Sequence, residues 1–416
     1  MLIHSRTAIL TTEIVATLFT LLFVSLATAS EGTTSTTITI TAGEIDRENV
    51  PVAYNLPEQL HDAETLMLSP TDASSVRPIP TQRTPDGTQL VWMLQRPLAT
   101  GATRSYTLIA SDVVAQESDR ATAVRLIQTD KEISIKVNDL PVLSYQIAVG
   151  HPPEDAPAYY ARSGFIHPLM TPSGKILTDD FPPDHFHQHA IFFAWVNTTF
   201  QDRRVDFWNQ AKEEGNVRHV EVIDTCQGDV FAEFTVALAH DTFNEDGTTT
   251  RVLDETWTVR VYRRTDGFLV DFISRQECAG ESPLLMNEYH YGGMGFRGAR
   301  HWTDLDQAGF LTSEGRSRED GNHTRPNWVD AFGPFDDGPA GTTILCHPDN
   351  FRSPQSVRLH PSMPYFCFAP CVDGEFSITP GSAHESHYRF LTHDGPVDPE
   401  AADRHWEDYA KPLIAE

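Results

Sequence analysis

The feature that most constrains this chain is a period of two. From Thr36 almost to the end, short runs alternate apolar with polar residues and are broken by Gly, Pro, Asn or Asp. "TITITAG", "TLMLSP", "TQLVWMLQRPL" and "RSYTLIAS" read this way before residue 112. "GDVFAEFTVALAHD", "TTTRVLDETWTVRVYRRTDGFLVDFISRQE", "SVRLHPSMPYFCFAP" and "SHYRFLTHDG" continue it later. Side chains of a strand point to alternate faces, so each run predicts a strand with one buried face. "AVRLIQTDKEISIKVNDLPVLSYQIA" predicts three strands, the last turn carrying Asn138-Asp139. Helical periodicity is weak except in the tail "PEAADRHWEDYAKPL". The chain is therefore expected to be all-β. A small N-terminal β-sandwich-like module is expected over 36–112 and a polar linker over 113–121. A large antiparallel two-sheet sandwich should span 122–416.

The first residues look like an export signal. Arg6 supplies a positive start, Ile14 to Ala27 form an apolar run, and Ala27-Thr28-Ala29 fits a small-x-small cleavage site. The run is short for a bilayer span, so residues 1–29 are expected to be removed. A Thr/Ser linker, 30–35, would follow, and the mature protein would be periplasmic or extracellular, with no stable membrane insertion. The formal net charge is −27, and Arg6 and Glu13 cancel within the removed segment. A dispersed acidic surface of this size repels nucleic acid and anionic lipid. Cys226, Cys278, Cys346, Cys367 and Cys371 include no zinc-type CxxC pair, and Cys367 and Cys371 can bridge only if a turn brings them together.

Chemistry concentrates in "TDDFPPDHFHQHAIFFAWVN", residues 178–197. If a strand begins at or just before Asp184, His185, His187 and His189 share one face, and Asp184, Phe186 and Gln188 share the other. Imidazoles so arranged can converge on a divalent transition metal, hold a sugar, or act as acid and base near neutral pH. A second constellation is "LLMNEYHYGGMGFRG", residues 284–298. Glu288 and His290 would share a face there, and Gly292, Gly293 and Gly295 would leave room for a backbone or ligand. Arg297 would bind a carboxylate or pair with an acidic residue. Arg162, His167 and Asp180 look like site walls. Trp208, in "RVDFWNQ", either faces a pyranose or lies in the core.

"RSGFIHPLMTPSGKILTDDFPPDHFHQHAIFFAW", "DFWN" and "EYHYGGMGFRG" together resemble a family of exported bacterial proteins common in planctomycetes. The family has been labelled methane oxygenase PmoA-like and also a domain of unknown function. The resemblance covers most of the chain after about residue 120. Family members usually carry Pro after the first His and Gly after the last, where this chain has Phe186 and Ala190. Membrane methane monooxygenase subunits have several transmembrane helices, and no apolar run after the signal is long enough to be one, so membrane-bound methane oxidation is not expected. The closing "GEFSITPGSAHESHYRFLTHDG" is similar to the last strands of galactose-mutarotase-like super-sandwiches. Those folds hold a carbohydrate on a concave sheet.

These readings converge on an exported carbohydrate-active protein acting on a glycan or sugar derivative. Asp184, His187, Glu288 and His290 are the candidate acid–base groups; Arg162, His167, Asp180, Trp208 and Arg297 are the candidate substrate contacts. Two alternatives stand beside it. One is a metal-dependent oxidative enzyme using two or three of His185, His187 and His189, with Glu288, on a copper, iron or manganese ion. The other is a non-catalytic glycan-binding protein.

Overall fold

Two eight-stranded antiparallel sheets face each other in the computed structural model, which describes residues 33–71, 78–111, 122–264 and 266–416. The expected signal 1–29 and linker 113–121 lie outside the described residues. Thr33 to Ser35, expected in the first linker, already belong to a strand, Thr33–Thr41.

The first sheet runs from Val124–Gln128 through Glu132–Val137, Leu140–Gln146, Ile166–Leu169, Ile191–Ala194, Gly293–Arg297 and Tyr365–Phe368 to the edge strand Val357–Leu359. The hairpin between Glu132–Val137 and Leu140–Gln146 turns at Asn138 and Asp139, with φ of 48° and 70°. Asn and Asp tolerate these left-handed angles better than most residues, which is why that pair marks the turn. The second sheet is built on the long strands Gly215–Cys226, Phe231–Phe243, Thr249–Tyr262, Leu269–Cys278 and His384–Asp394.

The alternation reads directly as two faces. Along Thr249–Tyr262, Trp257, Val259 and Val261 are fully buried, while Arg260 between them turns outward to Glu233 (2.6 Å). Between the sheets, Tyr145 meets Trp257 with ring centroids 5.9 Å apart, and Phe368 stacks on Tyr388 at 5.0 Å. Fully burying a large apolar side chain of this kind contributes ~1.5–3 kcal/mol, so this interior dominates the fold's stability.

The small module packs on the outer face of the second sheet. It holds a three-stranded sheet and a four-stranded one around Ile38, Ile40, Val52, Trp92 and Leu108. The four-stranded sheet includes Leu413–Ala415, which runs parallel to Pro51–Asn55. These last residues were expected to belong to the large sandwich; instead they complete the module's core, where Leu413 and Ala415 are buried. The helix Pro399–Ala410 delivers them. Asp398 caps it by accepting from the N–H groups of Glu400 and Ala401, with Pro399 in the first turn. Its buried Asp408 pairs with buried Arg47 of the module at 2.7 Å.

Candidate functional site

The His-rich segment is not a strand. Pro183, Asp184, Phe186 and His187 lie in successive turns, closed by His185 N–H to Pro182 O and Gln188 N–H to His185 O, both 2.9 Å. Pro182 and Pro183 cannot donate to a ladder, and the regular strand begins only at Ile191. Alternation therefore does not apply, and the three imidazoles do not share a face.

His189 points inward. It is fully buried, its Nδ1 donates to Asp180 Oδ1 (2.8 Å), and its Nε2 sits 3.0 Å from the Gln210 side-chain oxygen. Burial lowers its pKa below the usual imidazole range, against the pull of Asp180. With both nitrogens occupied by protein, His189 does not join His185 and His187 around an ion. Among the described residues, no group of three or more His, Cys, Asp or Glu is placed to hold a metal. Ala190 then takes a φ of 54°, the left-handed region where glycine is favoured.

His185 and His187 face a cleft instead. Their rings lie 5.4 Å apart, and His185 lies 6.3 Å from His360. The cleft encloses ≈ 180 Å³ and is lined by His185, His187, Gln188, Trp208, Asn209, His290, Tyr291, Arg358, His360, Met363 and Tyr365. It sits on the outer face of the first sheet. Strand register explains this: Gly295, Cys367 and Arg358 lie side by side on adjacent strands and share that face, while Phe296, Phe366 and Phe368 turn to the core.

Trp208 forms the floor. It is fully buried, with Tyr291 and Tyr365 edge-on at 5.5 and 5.9 Å, so the core alternative for this residue is the one realised. Gly295 is required beneath it, because a Cβ there would come within 2.8 Å of the indole. Gly293, at a φ of 117°, lies against the Phe368 carbonyl, 2.4 Å from where a Cβ would be. The glycines thus admit an indole and a neighbouring strand. Asp206 sets the turn above. Its buried carboxylate accepts from the N–H groups of Trp208 (2.9 Å) and Asn209 (2.8 Å) and from Lys212 Nζ (2.6 Å). Asn209 is thereby aimed at the Tyr291 hydroxyl, 3.0 Å away.

The loop 179–189 is clamped from below. Arg297 grips Asp184 with one nitrogen (2.8 and 3.1 Å) and Gln188 Oε1 with another (2.7 Å). Of the two roles expected for Arg297, the structure shows the ion pair. Arg300 holds Asp179 and the Asp180 carbonyl. Glu288 and His290 lie between strands, not on one, and both are exposed. His290 lines the cleft; Glu288 does not. His167 lies outside the cleft and meets Thr178 Oγ1 at 3.0 Å. Arg162 is buried over the Phe192 ring (5.2 Å), and burial lowers its pKa to about 10.

The cleft's electrostatics are unusual for so acidic a chain. Among the described residues no carboxylate lines it, and Asp184 at its edge, 3.7 Å from His185 Nδ1, is held by Arg297. Burial, with help from His185, His189 and Arg297, lowers the His187 pKa to about 3. Burial and Arg358 lower His360 to about 4. Both imidazoles are neutral at pH 7; the His360 Nδ1 lone pair already accepts from the N–H groups of Ser362 and Met363 (3.2 Å each), so that ring has its Nε2–H to offer. Arg358, His360, Met363 and Tyr365 come from "SVRLHPSMPYFCFAP", which reads from sequence as plain strand. Arg358 and His360 sit two apart just before Pro361, a weak signal that only the register makes meaningful.

None of the curated proteins matches the sequence. Among solved structures, the chain is similar to the galactose mutarotase related enzyme of Lactobacillus acidophilus, at 9% identity and a TM-score of 0.30, covering 66% of this chain and 99% of that one. It is also similar to a protein in glycosyl hydrolase family 38 from Enterococcus faecalis, at 10% identity and a TM-score of 0.43. That match covers 92% of this chain but only 47% of the other, so the present chain spans about half that protein's length. A family model described as "Family of unknown function (DUF6807)" matches residues 132–407, and the chain belongs to that family.

Proposed function

We propose that this is an exported, periplasmic or extracellular, carbohydrate-active protein whose histidine cleft holds a sugar ring and transfers protons at it. The observation that carries this reading is the cleft itself: four imidazoles, two amides, Arg358 and two tyrosines over a buried indole, with no carboxylate in the lining among the described residues. A sugar ring pairs apolar C–H faces with a hydroxyl rim, and such a cleft offers aromatic surface and neutral hydrogen-bonding groups together. Cleavage by paired carboxylates fits poorly. Asp184 is held by Arg297, Asp206 is buried under Lys212, and Glu288 stands outside the lining. Epimerisation or elimination fits better, with proton transfer falling to His185 or His290, because His187 and His360, lowered to about 3 and 4, are too weakly basic and serve as hydrogen-bonding groups. The non-catalytic glycan-binding reading uses the same cleft. The oxidative metal reading fits less well, because His189 faces Asp180 and Gln210 and Glu288 stands outside the lining, which leaves His185 and His187 of its proposed ligands in the cleft.

The test is a monosaccharide panel incubated with the protein in heavy water and followed by NMR. The reading expects binding to a sugar and exchange of a carbon-bound proton, both weakened by His187→Gln and His360→Gln. Binding without exchange selects the glycan-binding protein. Binding that neither substitution alters refutes the cleft as the site.

A further inference from the structure

One guanidinium in the cleft stands apart from its neighbours. Arg297 is committed to Asp184, Gln188 and Met363, and Arg318 to the backbone carbonyls of Ala308, His360 and Met363. Lys212, beside the floor, is committed to Asp206. Arg358 makes one side-chain hydrogen bond, to the neutral Asn322 Oδ1 at 3.2 Å, and no ion pair among the described residues. It is half-buried and rises from the edge strand Val357–Leu359 into the cleft wall.

The chain carries 58 acidic against 31 basic side chains, yet among the described residues no carboxylate lines this cleft; Asp184, 3.7 Å from His185 Nδ1 at its edge, is already paired with Arg297. An unpaired arginine in an acid-free concavity, on an otherwise acidic surface, leaves a local positive field with one bidentate fork to satisfy. His187 and His360 do not compete for this role, because they are neutral at pH 7 and act as hydrogen-bonding walls. The enclosed space, ≈ 180 Å³, is below the ~300–1,000 Å³ of drug-sized sites and suits a single sugar-ring-sized group.

We infer that the cleft is specific for an acidic sugar, with Arg358 binding the ligand's oxyanion in a two-pronged contact while His187 and His360 meet its hydroxyls. The inference rests on the reading of the cleft as a sugar site. A carboxylate, as in a uronic acid, and a sulfate ester present the same paired oxygens to the fork.

The experiment is titration calorimetry of the full protein with glucose, galactose, glucuronate, galacturonate, glucose 6-sulfate, malonate and inorganic sulfate. Repeats use Arg358→Gln and Arg358→Lys. The expected result is binding of at least one acidic sugar, with glucose and galactose weaker by roughly tenfold or more. Arg358→Gln should remove that preference, Arg358→Lys should restore it only in part, and salt should weaken acidic sugars selectively. Whether the uronates or the sulfated sugar bind tells carboxylate from sulfate. Equal affinity for glucose and glucuronate, or an unchanged Arg358→Gln, overturns the inference and leaves the sugar cleft standing. Malonate or sulfate binding as tightly as any acidic sugar, and through Arg358, keeps the oxyanion contact and overturns the sugar reading. No binding by any probe overturns both. Should the variants fail to fold, the neutral-against-acidic comparison and its salt dependence in the wild type decide alone.

Discussion

Replacing His189 with Ala separates the three histidines by role, and its size follows from the contacts. His189 is fully buried, packed between Phe165 and Phe181 at 5.2 and 4.8 Å, and hydrogen-bonded at both ring nitrogens. Its loss strips the Asp180 carboxylate of its side-chain partner and leaves the Gln210 oxygen unmatched. Losing a hydrogen bond to a charged acceptor costs ~1.5–3 kcal/mol, and the cavity left by a fully buried ring adds about 2 kcal/mol. We expect a loss near 4 kcal/mol. His187 is half-buried and its side chain makes no hydrogen bond among the described residues, so His187→Ala should cost under ~1 kcal/mol. Equilibrium urea unfolding at pH 7.5, followed by tryptophan fluorescence, measures both through midpoint shifts at constant slope. Asp180→Ala with His189→Ala should be less than additive by ~1–3 kcal/mol, because the second substitution removes a partner already orphaned. A His187→Ala loss as large as that of His189→Ala, or strict additivity of the Asp180/His189 pair, would refute the assignment of one histidine to the core and two to the cleft.

Gly295→Ala should destabilise by ~1–3 kcal/mol and weaken any cleft ligand, since its Cβ would press within 2.8 Å of Trp208 and 3.0 Å of Phe192; an unshifted melting curve would show that the floor yields freely. Ala190→Gly should stabilise by ~0.5–1 kcal/mol in the same unfolding assay, because it relieves a left-handed alanine at φ 54° and offsets this with only the entropy of one glycine. Acid should destabilise the fold well before carboxylates titrate. Burial lowers the pKa of His187 to about 3, of His384 to about 4 and of His405 to about 3, so the unfolded chain binds more protons once the pH falls below ~6.5. Stability from these groups is whole above that pH and is lost as pH falls toward their folded values, up to ~2 kcal/mol for each by pH 5. Unfolding midpoints that stay flat between pH 7 and 5 would count against their burial as neutral rings.

Much of the fold was legible because its signals are local. Trp257, Val259 and Val261 against Arg260 declare two faces without any partner in view. Asn138-Asp139 declares its turn, and Asp398-Pro399 its helix start. The site was legible only in part because its determinants are not local. The spacing His185, His187, His189 looks like strand alternation, and the outcome turned on Pro182-Pro183 and on a carboxylate, Asp180, that claims one ring for the core. Arg358 and His360 carry no signal of their own; they reach the cleft because Arg358 pairs with Cys367, and Cys367 with Gly295, over which Trp208 lies. That chain of registers spans separations no short motif encodes. The same applies to Leu413–Ala415, whose alternation fits any sheet and whose partner, Pro51–Asn55, lies at the other end of the sequence. The acidic composition carried a further lesson. A net charge of −27 describes the chain as a whole, yet the concavity where four histidines meet has no carboxylate in its lining among the described residues. Average charge predicts what the protein repels over a distance; the unpaired arginine in that lining governs what it can hold at contact.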